Sequence, residues 1–405
     1  MKKNLVYLIL FFSLLCSCPF AQTASFQVTY LGANAQVELA TEKACEIWSD
    51  ILVSSEPIKI NFYWVNASQF GFLGLTLSNG VKNFQNAPIN DVWYPTSLAK
   101  AIAGNDLQIN DVDIDIFLDS TYNWYYGTDG NCPANQHHLV KVILHEIGHG
   151  LGFYSVANLD QSGIGSFSHV IDPMVNSFAS FPIPNLNGEP LIYDLFIENL
   201  QGEQLVDTNL FINPSISLST QFTGNNLYFN GLNTVNANNQ SRPRLYAPST
   251  FAFGSSILHL NESSFPSSSS DGLMTPFSGS GETNLVPGPI TLGMLKDMGW
   301  TINPSITSTT NFESITLSDN YPNPFSSTTT FNFFLKKSSP IEFIIYDLSG
   351  KKVKIFQFEF MKNGLQQIVW DGTDVQNKKV APGVYIYQLK TNSQSLSKKL
   401  ILSSF

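Results

Sequence analysis

Apolar positions along this chain follow different periods in different stretches. From Val37 to Leu52 they recur every three or four residues, and a helix is predicted there. Ile58–Val65 and Val112–Leu118 carry strand signals instead. Leu139, Val140, Val142, Ile143 and Leu144 form a strongly apolar segment, the mark of a helix buried in the middle of a domain. From about 156 to 255 the chain turns rich in Asn, Phe, Ser and Pro, which predicts irregular β structure and loops forming one wall of a cleft. Within that stretch Leu195–Ile197 and Gln204–Val206 read as two strands joined by a turn through Asn199–Gly202. Pro289–Gly299 reads as a short closing helix with Thr291 capping its start and Gly299 its end. After a Ser/Thr-rich linker at 302–313, alternating segments at Thr328–Leu335, Pro340–Tyr346, Gln366–Trp370 and Gly383–Leu389 predict a small all-β sandwich.

The first residues add a compartment. Met1-Lys-Lys followed by the apolar run Leu5–Leu15 has the charged and hydrophobic regions of a secretory signal, with 1–21 expected to be removed near Ala21. The run is too short for a membrane span. Leu15-Cys-Ser-Cys18 also resembles a bacterial lipobox, so lipidation at Cys18 is the alternative. Signal removal leaves Cys45 and Cys132, which form one disulfide or two buried thiols, Cys45 serving the core of its helix. A chain of 405 residues suggests two or three domains. A net charge of −10 and a pI near 5.0 provide no basic footprint for nucleic acid, and 13% charged residues fit an exported protein. No later stretch approaches membrane-spanning length, and a monomer is expected.

Chemistry concentrates at His145-Glu-Ile-Gly-His149. Residues four apart share a helix face with Cβ atoms about 5–6 Å apart, so both imidazoles can reach one ion. Glu146 then stands beside the ion as a general base toward water that zinc activates. Gly148, Gly150 and Gly152 are expected to end this helix and turn the chain away. A third protein ligand is required, and the chain has six histidines. His137 and His138 lie about two turns upstream of His145, too far along the same helix, and read as solvated first-turn residues. Glu203, in Glu203-Gln-Leu-Val-Asp207, has the spacing of a glutamate ligand but sits in a predicted turn. His169 and Asp172 are further alternatives, and so is His259.

Two sets of motifs resemble known families. In the metzincin pattern HExxHxxGxxH, Gly152 matches but Ser155 occupies the last position, where a hydroxyl is a poor zinc ligand. His259 lies 110 residues beyond His149 and precedes Asp271-Gly-Leu-Met274-Thr-Pro276. Over roughly 35–300 the chain resembles the leishmanolysin-like branch of the metzincins, with its long insertion before a third histidine and a Leu-Met-x-Pro turn. The resemblance implies an α/β (α+β) zincin catalytic domain over 22–301 with an insertion at about 156–255. It implies Zn2+ held by His145, His149 and His259, catalysis by Glu146, and Met274 as the structural base of the site. Such a protein is a secreted zinc endopeptidase acting on protein or peptide substrates. The tyrosine that some metzincins place after this turn is missing, since the chain continues Thr275-Pro276-Phe277-Ser278. The competing reading is a surface-binding or adhesive protein with a structural zinc; a third is attack on a non-peptide bond.

Beyond residue 314, five motifs occur in order: Asn320-Tyr-Pro-Asn-Pro-Phe325, Ile345-Tyr-Asp-Leu-Ser-Gly-Lys351, Trp370-Asp-Gly372, Gly383-Val-Tyr-Ile-Tyr387 and Ser397-Lys-Lys-Leu. Together they closely resemble the type A C-terminal sorting domain of type IX secretion substrates in Bacteroidetes. For 314–405 this implies engagement of the type IX machinery and export across the outer membrane to the surface or medium. A carbohydrate-binding or adhesive sandwich is the alternative.

Overall fold

The computed structural model describes residues 22–107, 111–168, 189–304, 315–317, 320–335, 338–362, 364–391 and 395–404. The signal segment with Cys18, most of the 302–313 linker, His169 and Asp172 lie outside the described residues. Two compact units emerge, one ending at Asn303 (residues 129–131 aside) and one beginning at Pro304.

The first unit is built on a four-stranded sheet. Its strands are β1 (Phe26–Leu31), β2 (Ile58–Val65), β3 (Gly74–Ser78) and β4 (Ile114–Asp119), in the order β1-β2-β4-β3. The first three run parallel, and β3 closes the edge antiparallel to β4, with Gly74 opposite Leu118. Parallel strands need covered faces, which is why β4 is buried along its whole length. Helix α1 (Ala35–Ile51) buries Val37, Ala40, Ala44, Cys45, Trp48 and Ile51 at helical spacing, and the Asn34 side chain caps its start. It packs on helix α3 (Leu139–Gly150), where the Trp48 indole donates to the Leu144 carbonyl at 3.0 Å. A shorter helix α2 (Thr96–Ala103) ends at Gly104 with φ of 71°.

Several expectations are corrected here. Gly148 and Gly150 do not turn the chain; they are buried helical residues whose missing side chains admit Met274 and Ile114. Only Gly152, at φ 132°, makes the turn. His137 and His138 precede α3 in a short pairing with Trp124 and Tyr125, and His138 is buried edge-on against the Tyr125 ring instead of being solvated. Cys45 and Cys132 are free thiols, that of Cys45 pushed up to about 12 by burial.

Among its described residues the insertion contains two helices the pattern did not announce, α4 (Ile216–Phe222) and α5 (Leu232–Ala237). Leu195 lies in a 3-10 turn, Ile192–Phe196; Ile197–Glu198 pairs with Tyr228–Phe229 and also meets the expected partner, through a bridge from Glu198 to Gln204 and a Leu205 N–H that donates to the Ile197 carbonyl at 3.1 Å. The closing helix α6 (Pro289–Met298) ends at Gly299 with φ 119°. Thr291 lies inside it and is not its cap. Asp271, from the Met274 turn, accepts the Ile290 N–H at 2.8 Å and does that work from a distance. Asp297 of α6 likewise accepts the N–H groups of Asn233 and Thr234 at the start of α5.

In the second unit, strands β5 (Ile315–Leu317), β6 (Thr329–Leu335) and β9 (Gly364–Trp370) form one sheet in the order β5-β6-β9. Strands β7 (Ser339–Asp347), β8 (Lys352–Met361), β10 (Gly383–Lys390) and β11 (Ser395–Leu402) form a second in the order β8-β7-β10-β11. Both are antiparallel, and their inward residues make one aromatic core in which Phe331 meets Phe343 and Tyr387 at centroid separations of 4.7 and 4.6 Å.

Candidate metal centre

Helix α3 reaches the cavity with His145 and His149 one turn apart on the same face. A near-continuous apolar sequence upstream buries the helix, so the imidazoles emerge inside the protein. His259 arrives from the far end of the insertion. Its approach is held by main-chain bonds from Tyr246 N–H to the His259 carbonyl (2.8 Å) and from Leu260 N–H to the Met274 carbonyl (2.8 Å). Two residues earlier, buried Ile257 adopts φ 77°, a conformation that costs a β-branched residue about 1–3 kcal/mol. Tyr193 donates to its carbonyl and its N–H donates to Tyr246, so its surroundings hold it there.

The three rings meet. Nε2 of His145 lies 3.0 Å from Nε2 of His149 and 3.2 Å from Nε2 of His259. On the other side of each ring, Nδ1 faces a backbone carbonyl: His145 to Leu273 at 2.7 Å, His149 to Phe153 at 2.6 Å, His259 to Ser255 at 2.8 Å. A carbonyl only accepts, so each neutral imidazole commits its single proton to Nδ1 and leaves Nε2 as a bare lone pair. Burial, then the neighbouring imidazoles, hold His145 and His259 well below the usual histidine range, and burial brings His149 to about 4. Three lone pairs thus converge without protons between them, an arrangement that repels unless a cation sits at the centre. A tetrahedral ion with metal–nitrogen distances of 2.0–2.1 Å separates its nitrogens by about 3.3 Å, close to the 3.0 and 3.2 Å from His145, and the three ligand atoms all lie within 4.8 Å of one another. Among the described residues, these three form the group able to hold a metal.

Glu146 is also buried, and burial pushes its carboxyl up to about 7. The Thr76 hydroxyl, on edge strand β3, lies 2.7 Å from its Oε2. Met274 sits in the 3-10 turn Gly272–Met274, fully buried, with its sulfur against Gly148 between the two histidines; a Cβ at Gly148 would fall 2.6 Å from it. The same turn supplies the Leu273 carbonyl to His145. Ser155 donates to Asp194 at 2.6 Å instead of facing an ion. Glu203 is occupied in its own turn, accepting from the Asn199 side chain at 2.6 Å.

A cavity of about 570 Å³ opens over these groups. Phe70, Phe72, Tyr154, Phe251, Phe253 and Phe277 give it aromatic walls, and the insertion contributes one side, in keeping with its expected place. Sequence reasoning missed Thr76, Gly74 and Tyr154. The only available signal was the Leu-Thr-Leu alternation at 75–77, too short to separate from loop.

With an α/β unit carrying a three-histidine centre and a β-sandwich following it in the sequence, comparison with known proteins becomes informative. Residues 319–403 match the secretion system C-terminal sorting domain, which makes the chain a type IX export substrate, delivered to the cell surface or extracellular space and engaging the secretion machinery. Residues 10–247 match the SPBPB7E8-like family, more than half the chain, and the chain belongs to that family. The match takes in Glu146 and its two flanking histidines and stops before His259. An uncharacterized protein of Schizosaccharomyces pombe, PB7E8.01, is 30% identical over 136 residues, 32% of this chain; the chain spans 22% of that relative's length. Among solved structures, dimeric latent PorU from Porphyromonas gingivalis is 23% identical over 22% of this chain and 10% of its own, with a TM-score of 0.21. FlgD from P. aeruginosa is 24% identical over 18% of this chain and 58% of its own, with a TM-score of 0.16. Among the described residues no helix is long and apolar enough to cross a membrane.

Proposed function

We propose that this chain is an exported zinc-dependent endopeptidase of the leishmanolysin-like metzincin type, hydrolysing peptide bonds in protein or peptide substrates. The observation that carries this reading is the convergence of three unprotonated Nε2 atoms in a cavity shared with a buried carboxylate. A purely structural site has no use for that carboxylate or for an open cavity of this size. When bound, zinc supplies Lewis acidity that makes water an effective nucleophile near neutral pH.

The remaining work falls to the chain. His145, His149 and His259 hold the ion through Nε2, and the carbonyls of Leu273, Phe153 and Ser255 keep the rings in the ligating tautomer. Glu146 takes a proton from the attacking water at a carboxylate oxygen and returns it to the departing amine nitrogen. The aromatic walls exclude bulk water and accept apolar side chains of the substrate.

The test uses the full chain: zinc content, and cleavage of casein or gelatin with and without a chelator. Glu146→Gln is expected to keep zinc and fold while losing activity by about 10²-fold or more. Equal activity in wild type and Glu146→Gln sinks the mechanism. A zinc-loaded wild type inert on every protein offered sinks the endopeptidase reading and leaves the adhesive alternative and attack on a non-peptide bond.

A further inference from the structure

Glu146 follows a ligating histidine on α3, and nothing on its own helix fixes its carboxylate. The contacts come from β3. Strand alternation puts Gly74 and Thr76 on the face of β3 that looks onto α3, and each meets one carboxylate oxygen. Thr76 Oγ1 lies 2.7 Å from Oε2 and 3.0 Å from the Glu146 main-chain carbonyl. A hydroxyl has one proton to donate, and a mid-helix carbonyl already accepts within the helix ladder, so the shorter contact to Oε2 takes it. At Gly74 a Cβ would stand 2.4 Å from Oε1, so only a bare Cα lets that oxygen lie against the strand. Thr76 is 5% exposed and lines the cavity with its neighbours from Phe70 to Leu77, so the strand that edges the cavity also grips the carboxylate.

We propose that Thr76 is the positioning residue of Glu146, its hydroxyl and the vacant side chain of Gly74 together fixing where the carboxylate stands over the three-histidine centre. This rests on the peptidase reading for its catalytic consequence, but not for its geometric content. Thr76 acts through Glu146 and touches no reacting atom itself. A merely structural Thr76 would tie β3 to α3, and its loss would be felt in stability and metal content. A positioning Thr76 is felt in turnover.

The test compares Thr76→Val, which keeps the shape and removes the hydroxyl, with Thr76→Ser, which keeps the hydroxyl, in the full zinc-loaded chain. The probe is a quenched fluorescent peptide taken from a casein site that the wild type cleaves. Thr76→Val is expected to lower kcat about 10-fold with KM and zinc content close to wild type, and Thr76→Ser to recover most of the loss. Gly74→Ala, which leaves the hydroxyl and displaces the carboxylate, is expected to lower kcat as well. Independently of turnover, the crystal structure of Thr76→Val is expected to show the Glu146 carboxylate moved off β3. Unchanged kcat in Thr76→Val, a loss that appears only as lost zinc, or a carboxylate that stays in place overturns the proposal. Should the wild type cleave nothing, the peptidase reading falls, and the position of the carboxylate in that crystal structure still decides whether Thr76 holds it.

Discussion

The two units obtain their order in different ways. In the C-terminal sandwich it is repetitive: β6, β7 and β10 alternate inward and outward, and inward Phe331, Phe343 and Tyr387 fill one core. In the N-terminal unit the decisive contacts join residues far apart in the chain. The Leu273 carbonyl fixes the His145 ring across 128 positions, Thr76 reaches Glu146 across 70, and the Asp271 carboxylate caps α6. A periodic unit tolerates change wherever its period survives, whereas an assembled centre fails at single atoms.

The sharpest separation is made by removing one unit. Deletion of 314–405 is expected to abolish delivery to the surface or medium while the remaining chain, recovered from the periplasm, keeps its metal and its cleavage of casein. Normal export of the deleted chain, or metal lost with it, breaks the division. Next in size is the metal centre. His259→Ala is expected to weaken metal binding at least as severely as His149→Ala, by more than the roughly 10–100-fold that outer partners command. Glu203→Ala should leave metal content unchanged, and the reverse pattern would move the third ligand to Glu203.

Two smaller changes probe packing. Phe331→Ala removes a fully buried ring and is expected to cost the C-terminal unit about 3–5 kcal/mol in denaturant unfolding, with zinc content unaltered. Gly148→Ala pushes a methyl into the Met274 sulfur and is expected to cost the N-terminal unit about 1–3 kcal/mol, leaving the sandwich transition where it was. A Gly148→Ala protein as stable as wild type would mean that Met274 has room to move, and that the turn beneath α3 is not tightly packed.

What could be read from sequence follows the same division. The helix spacing of His145 and His149 is local and so was visible, and the Leu-Met-x-Pro pattern marked His259 despite its distance. Most of β6, β7, β9 and β10 was visible from alternation. Strand β8 was not, because exposed Phe358 and Phe360 blur its inner and outer faces, and β11 was not, with its run of serines and lysines. Thr291 looked like a cap because nothing nearby in sequence announces that Asp271, from the other side of a turn, supplies the acceptor. Gly148 and Gly150 looked like turn formers because a glycine needed for close packing and one needed for its φ are the same letter. Thr76 carries no local signature, since its role exists only once β3 lies against α3.

The 110-residue interval between His149 and His259 also sets an order in time. A chain emerging from the ribosome, or one cut anywhere in that interval, holds two of the three imidazoles and lacks the Leu273 carbonyl that orients the first. The centre therefore belongs to no fragment: it comes into being only when residues on both sides of the interval have been made and folded onto each other.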